Sequence, residues 1–318
     1  MINQINLIWF QGQGCTGCTI SITGGSHPSI VDVLTGFMPQ VRDINLVYHP
    51  TLMLSWGENA MKILKDAKDG RYDPFVLILE GAIPDEDRAK ETGGFYCGIG
   101  DLDDEIVTLT DILPELANRA AASVAVGTCA SFGGIPHGKP NPTGAKSLRD
   151  FLGSDYRSTL NLPVINLPGC PPMGNNIIEA IAHLVLTIRG KLPVPELDNY
   201  NRPVFLYGET VHEICPRAGH FACGEYSENF GEIFCMGMLG CKGIITHCNV
   251  PRRGFIDGIG GCTTVGGICI GCAEPEFPDE PFSPFLKKAP AISYGIEAVA
   301  DIKGKIYAIL SRLKPRGI

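Results

Sequence analysis

The chain has 318 residues, 44% of them hydrophobic and 19% charged, the balance of a compact protein long enough for more than one core. Its 26 basic residues against 34 acidic ones give a formal net charge of −8, which leaves no basic footprint for nucleic acid or an acidic membrane surface. No apolar run approaches the roughly 18–20 residues that span a bilayer, and the opening Met-Ile-Asn-Gln-Ile-Asn has neither a basic n-region nor a cleavage pattern, so a cytoplasmic location is expected, with membrane association through a partner left open.

Taken in order, near-continuous apolar runs at 5–10, 44–48, 75–80, 123–127 and 163–167 read as strands. Between them, 28–38, 57–67, 111–121 and 146–152 read as helices, and 175–189 as a longer one. Strands apolar on both faces and alternating with helices predict an α/β domain over 1–190, a doubly wound parallel sheet covered on both sides. After Leu192-Pro-Val-Pro195 the character changes. Residues 191–290 are rich in Cys, Gly and Pro, with a helix expected only near 228–239, and such a stretch has few ways to build an apolar core. Residues 291–318 carry apolar side chains at helical spacing and predict an amphipathic packing helix.

Thirteen cysteines without a secretory signal argue against a disulfide framework and for metal ligation. Cys15 and Cys18 follow the first predicted strand, Cys129 the fourth and Cys170 the fifth. Ligands of open parallel sheets sit outside the carboxyl ends of the strands, so three separate loops deliver these four thiols to one place. By count alone four thiolates suit zinc or an iron–sulfur cluster equally. Ligands more than a hundred residues apart on glycine-rich loops favour the cluster, because glycine lets backbone N–H groups approach sulfur. A phosphate cradle after the first strand is the weaker reading: no Gly-Lys-Ser/Thr or Gly-x-Gly-x-x-Gly opens the next helix. The second half adds His212, Cys215, Cys235, Cys241, Cys248, Cys262, Cys269 and Cys272, more candidate ligands than one metal ion can use.

These motifs, in this order, resemble the small, electron-transferring subunit of nickel–iron hydrogenases. The residues that carry the resemblance are Gly14-Cys-Thr-Gly-Cys18, Glu80-Gly-Ala-Ile-Pro84, Gly127-Thr-Cys-Ala-Ser-Phe-Gly-Gly134, Pro140-Asn-Pro-Thr-Gly144, Gly169-Cys-Pro-Pro172, Gly208-Glu-Thr-Val-His-Glu-Ile-Cys-Pro-Arg217, Gly240-Cys-Lys-Gly243 and Cys269-Ile-Gly-Cys-Ala-Glu-Pro275. The resemblance implies a flavodoxin-like first domain followed by an irregular, cysteine-rich iron–sulfur domain. It implies a proximal 4Fe-4S cluster on Cys15, Cys18, Cys129 and Cys170, and a distal 4Fe-4S cluster on His212, Cys215, Cys235 and Cys241. A medial cluster falls to Cys248, Cys269 and Cys272. Members with a three-iron medial cluster carry a proline seven residues before the penultimate cysteine, in a Trp-Pro-Val segment; this chain has Cys262 there, so a medial 4Fe-4S cluster is expected, with 3Fe-4S as the alternative.

The supernumerary cysteines of oxygen-tolerant membrane-bound relatives are replaced by Gly17 and Gly134, which implies an ordinary four-cysteine proximal cluster. Cys97 and Cys223 lie outside every motif, and Glu80 stands at a strand end beside the proximal crevice. The resemblance also implies a partner large subunit that holds the nickel–iron catalytic site, with no catalytic residue on this chain. Electrons pass to an acceptor protein or quinone-linked cytochrome, in hydrogen uptake, from a heterodimer or a higher oligomer of heterodimers. A cluster-bearing subunit of a Complex I-like or energy-converting hydrogenase, or a zinc-stabilised interaction module, are the alternatives; the cysteines after His212 argue against the first.

Overall fold

A computed structural model describes residues 4–26, 28–37, 41–102, 105–256 and 258–278. The expected helix within 291–318 lies outside the described residues. The chain divides into two compact units, one of Met1–Gly208 with Ala273–Pro275, the other of Glu209–Cys272 and the chain from Glu276.

The first unit is built on five parallel strands, β1 (Ile5–Gln11), β2 (Ile44–Tyr48), β3 (Phe75–Glu80), β4 (Ala122–Val126) and β5 (Ile165–Leu167). Their order is β2-β1-β3-β4-β5, the flavodoxin-like arrangement. All six residues of β3 and all five of β4 are buried, as strands covered on both faces must be. Along β1 the side chains alternate. Ile8 and Phe10 join the core formed with α2 (Glu58–Lys68) and α3 (Leu109–Arg119), while Leu7 and Trp9 face Ile22 of α1 (Gly17–Thr23) and Ile181 of α5 (Gly174–Ile188). A short helix, α4 (Thr128–Phe132), follows β4 directly.

Each expected strand is present. The expected helices at 57–67, 111–121 and 175–189 appear with ends shifted by one or two residues, whereas those at 28–38 and 146–152 shrink to Ile30–Leu34 and Leu148–Leu152. In both short helices a serine, Ser29 or Ser147, caps the N-terminus by accepting the N–H of Asp32 or Asp150, so the chain enters the helix only there. An antiparallel pair, Gly98–Leu102 with Glu105–Thr108, was not legible, because its residues are mostly polar or exposed.

The expected helix at 228–239 is corrected to a single 3-10 turn, Met236–Leu239. Two carbonyls that a helix would need, those of Glu232 and Phe234, instead accept from Arg217 Nη1 at 2.7 and 2.8 Å, and the Glu232 carboxylate takes the N–H of Glu228. Elsewhere among the described residues of the second unit the regular elements are short: the helices Ala218–Cys223 and Val250–Arg253 and the 3-10 turn Cys262–Val265.

Candidate metal centres

The carboxyl ends of β1, β4 and β5 bring four thiols together. Cys15 lies in the turn before α1, Cys18 is on α1, Cys129 is on α4 and Cys170 follows β5. Burial first, then Glu80, then Cys129, Cys15 and Cys170 push the Cys18 thiol well above its ordinary pKa. Cys129 is raised to about 11 by burial, with Cys170 the next cause. Although the residue as a whole is solvent-exposed, the Cys170 thiol is raised by desolvation among its neighbours and by Cys15. Cys18, Cys129 and Cys170, raised in this way, resist ionisation on their own, and a cationic iron–sulfur core is the chemistry that would let them ionise.

The backbone around them is shaped for sulfur. Gly127 adopts φ +87°, and a Cβ there would stand 2.5 Å from Cys18 Sγ; Gly134 adopts φ +53°, and a Cβ would meet the Cys129 backbone at 2.8 Å. The Ile135 N–H turns toward Cys129. The Glu80 carboxylate, 3% exposed, accepts the N–H of Cys18 at 2.9 Å and of Thr19 at 3.2 Å, and the Thr19 hydroxyl at 2.5 Å. Cys15 and Cys170 are exposed, and with Cys129 they open on an apolar cleft edged by Ile135, Pro136 and Pro142.

In the second unit His212, Cys215, Cys235 and Cys241 all line one pocket. The His212 ring stands edge-on to Phe221 with centroids 4.5 Å apart, and its main chain is tied to Gly243 by a 2.9 Å hydrogen bond. Backbone N–H groups point at the sulfurs: Arg217 to Cys215 at 3.4 Å, Cys269 to Cys241 at 3.3 Å, and Gly237 to Cys235. Burial raises Cys235 and Cys241, and the Arg217 guanidinium opposes it for both. Among the described residues no three His, Cys, Asp or Glu side chains stand close enough to hold one metal ion. Imidazole plus three thiols on one pocket, with sulfur-directed N–H groups, fit a cluster.

Cys262, Cys269 and Cys272 sit beside this set. Burial, then Cys241, then Cys272 act on Cys269, which is raised well above the ordinary value; the Cys262 thiol is raised by local desolvation and by Cys241, although the residue as a whole is exposed. Cys262 takes φ +47°, a conformation closed to proline, whose ring holds φ near −65°. Cys248 is half-buried, with its N–H on the Glu209 carbonyl at 3.2 Å. Of the two unassigned thiols, Cys97 is raised to about 11 by burial and then Glu86, and Cys223 is exposed at the end of a short helix. Three residues escaped the sequence reading: Thr19, which holds Glu80, and Arg217 and Thr263, which line the second cavity. Arg217 is signalled only by its place in Cys-Pro-Arg.

Residues 207–286 match the family model for the C-terminal part of the NiFe/NiFeSe hydrogenase small subunit, and residues 15–184 match that of the NADH ubiquinone oxidoreductase 20 Kd subunit. The chain is 38% identical over 282 residues to the periplasmic NiFeSe hydrogenase small subunit of Desulfomicrobium baculatum, covering 86% of this chain and 84% of that one. It is 33% identical over 284 residues to the quinone-reactive Ni/Fe-hydrogenase small chain of Wolinella succinogenes, covering 88% and 73%. Among solved structures, the actinobacterial-type NiFe-hydrogenase from Ralstonia eutropha H16 superposes with a TM-score of 0.87 at 36% identity, over 99% of this chain and 92% of that one. The reduced, active Ni-Fe-Se hydrogenase of D. baculatum gives 0.79 at 36% identity, over 90% and 99%. The respiratory-enzyme match ends within the first unit, whereas the hydrogenase matches extend through the second. The chain belongs to the family of NiFe/NiFeSe hydrogenase small subunits.

Proposed function

We propose that this small subunit relays electrons between a nickel–iron site on a partner large subunit and an external acceptor, in the direction of hydrogen uptake. When bound, three iron–sulfur clusters supply the one-electron steps of that relay. Cys15, Cys18, Cys129 and Cys170 hold a proximal 4Fe-4S cluster; His212, Cys215, Cys235 and Cys241 hold a distal 4Fe-4S cluster. Cys248, Cys262, Cys269 and Cys272 hold a medial 4Fe-4S cluster, Cys262 supplying the fourth thiolate where three-iron relatives carry proline.

The observation that carries this reading is the cavity on which His212, Cys215, Cys235 and Cys241 open together. A neutral imidazole makes the ligand set less negative than four thiolates and raises the potential at that end of the chain. Exposed Cys15 and Cys170, on an apolar cleft, mark where the large subunit docks. The W. succinogenes relative is named quinone-reactive, and a quinone-linked acceptor is the corresponding proposal here.

The test is co-purification with analysis for iron, acid-labile sulfide and nickel. The reading expects about twelve irons in the small subunit and nickel only when a second polypeptide is bound. A colourless complex, or zinc in place of iron, overturns it.

A further inference from the structure

The cavity that gathers His212, Cys215, Cys235 and Cys241 is also lined by Thr263, the residue after Cys262. Thr263 is 3% exposed, and its hydroxyl is buried with no hydrogen-bond partner among the described residues. Its neighbours are not in this position. Thr264 Oγ1 donates to the Gly261 carbonyl and accepts the Gly261 N–H, each at 2.8 Å, and Thr246 Oγ1 donates to the Lys242 carbonyl at 2.8 Å. Arg217, the other long polar side chain on the wall, spends Nη1 on two carbonyls. A buried hydroxyl left unpaired costs about 1–3 kcal/mol, so a threonine here calls for an acceptor, and the wall presents the sulfurs of Cys215, Cys235 and Cys241.

We infer that Thr263 donates its hydroxyl hydrogen bond to a sulfur, thiolate or inorganic sulfide, of the histidine-ligated distal cluster. The inference rests on the distal assignment proposed above. A donor aimed at cluster sulfur stabilises the more negative, reduced state and so raises the potential. Because Thr263 adjoins Cys262 in the 3-10 turn Cys262–Val265, one turn would both carry a medial ligand and tune the distal site. Thr263 is thus a positioning and tuning residue with no part in the chemistry of hydrogen.

The experiment is a redox titration, followed by EPR, of the purified large–small complex carrying Thr263→Val and Thr263→Ser. Valine keeps the volume and removes the donor; serine keeps the donor. Thr263→Val is expected to raise the ratio of oxidised to reduced distal cluster at a fixed potential by about three- to tenfold, the worth of one hydrogen bond. Thr263→Ser should stay near wild type, and iron content should be unchanged in both. Equal shifts in both variants, no shift in Thr263→Val, or a shift confined to the medial cluster overturn the inference.

A second measurement on the unaltered complex guards against a variant that fails to assemble. A crystal structure of the loaded complex should place Thr263 Oγ1 within hydrogen-bond reach of a sulfur of the distal cluster. A Thr263 hydroxyl bonded elsewhere overturns the inference while leaving the three-cluster reading intact; absent iron in wild type sinks that reading itself.

Discussion

Glu80 Oε1 accepts the backbone N–H of Cys18 at 2.9 Å, so one carboxylate at the end of β3 holds the turn that carries two candidate ligands of the proximal centre. Its other oxygen takes the Thr19 hydroxyl. Hydrogen bonds to a buried charged acceptor are the costly ones to lose. Glu80→Gln is expected to destabilise the protein by about 1–3 kcal/mol and to lower the iron content of the proximal centre, read by urea unfolding and by metal analysis.

On the far side of Thr19 stands His49, 1% exposed, whose Nδ1 accepts the N–H of Thr51 at 3.1 Å and of Leu52 at 3.3 Å. With Nδ1 an acceptor, Nε2 carries the proton and faces Thr19 Oγ1 at 3.3 Å. Burial holds the imidazole down at about 4, against the opposing pull of Glu80. A base with its folded pKa below its unfolded one binds more protons when unfolded. Its contribution is therefore complete above about pH 6.5 and is lost as the pH falls toward 4, by about 2–3 kcal/mol. The change in unfolding free energy between pH 7.5 and 4.5 should be larger in wild type than in His49→Gln by about that amount.

Arg202, 1% exposed, joins residues far apart in the chain, with Nε on Asp198 Oδ2 at 2.6 Å and Nη1 on Glu274 Oε1 at 3.0 Å and on the Ala273 carbonyl at 3.1 Å. Glu274 directly follows the Cys269–Ala273 stretch, and through it the return of 273–275 to the first unit is secured. Arg202→Met takes the guanidinium away from the buried Glu274 carboxylate and is expected to cost about 3–5 kcal/mol, seen as a fall in the thermal midpoint. A double Arg202→Met, Glu274→Met variant should recover part of the loss.

At the second cavity, His212→Cys replaces a neutral donor with a thiolate. The distal potential is expected to fall on the order of 100 mV, measured by redox titration, with slower electron delivery to an external acceptor and cluster content retained. His212→Ala should instead lose iron from that site.

Cys262→Ala removes the ligand that distinguishes the expected four-iron medial centre. The expected outcome is an EPR signal of an oxidised three-iron cluster that is absent from wild type, with about one iron fewer per molecule. The same signal in untreated wild-type protein would assign the three-iron form to it.

The strands were legible because each is a run of apolar residues about as long as a sheet crossing, and the parallel arrangement follows from their alternation with helices. What escaped were elements set by single contacts. The stretch 228–239 has helix-forming residues, yet Arg217 claims two of its carbonyls from a distance of more than ten residues, and only Met236–Leu239 turns. The pair Gly98–Leu102 and Glu105–Thr108 lacks an apolar face to announce it.

By itself, the order and spacing of the cysteines, with His212 three residues before Cys215, determined the family and named the candidate ligands, because metal ligation demands particular residue types and leaves them in the sequence. Tertiary structure alone decided what surrounds them. Glu80 beneath Cys18, Arg217 on the wall beside Cys235, and Thr263 with an unpaired hydroxyl on the same wall are brought there by crossovers and turns that no local periodicity encodes. A hydrogen-bond donor acquires its meaning only from the acceptor folding places opposite it.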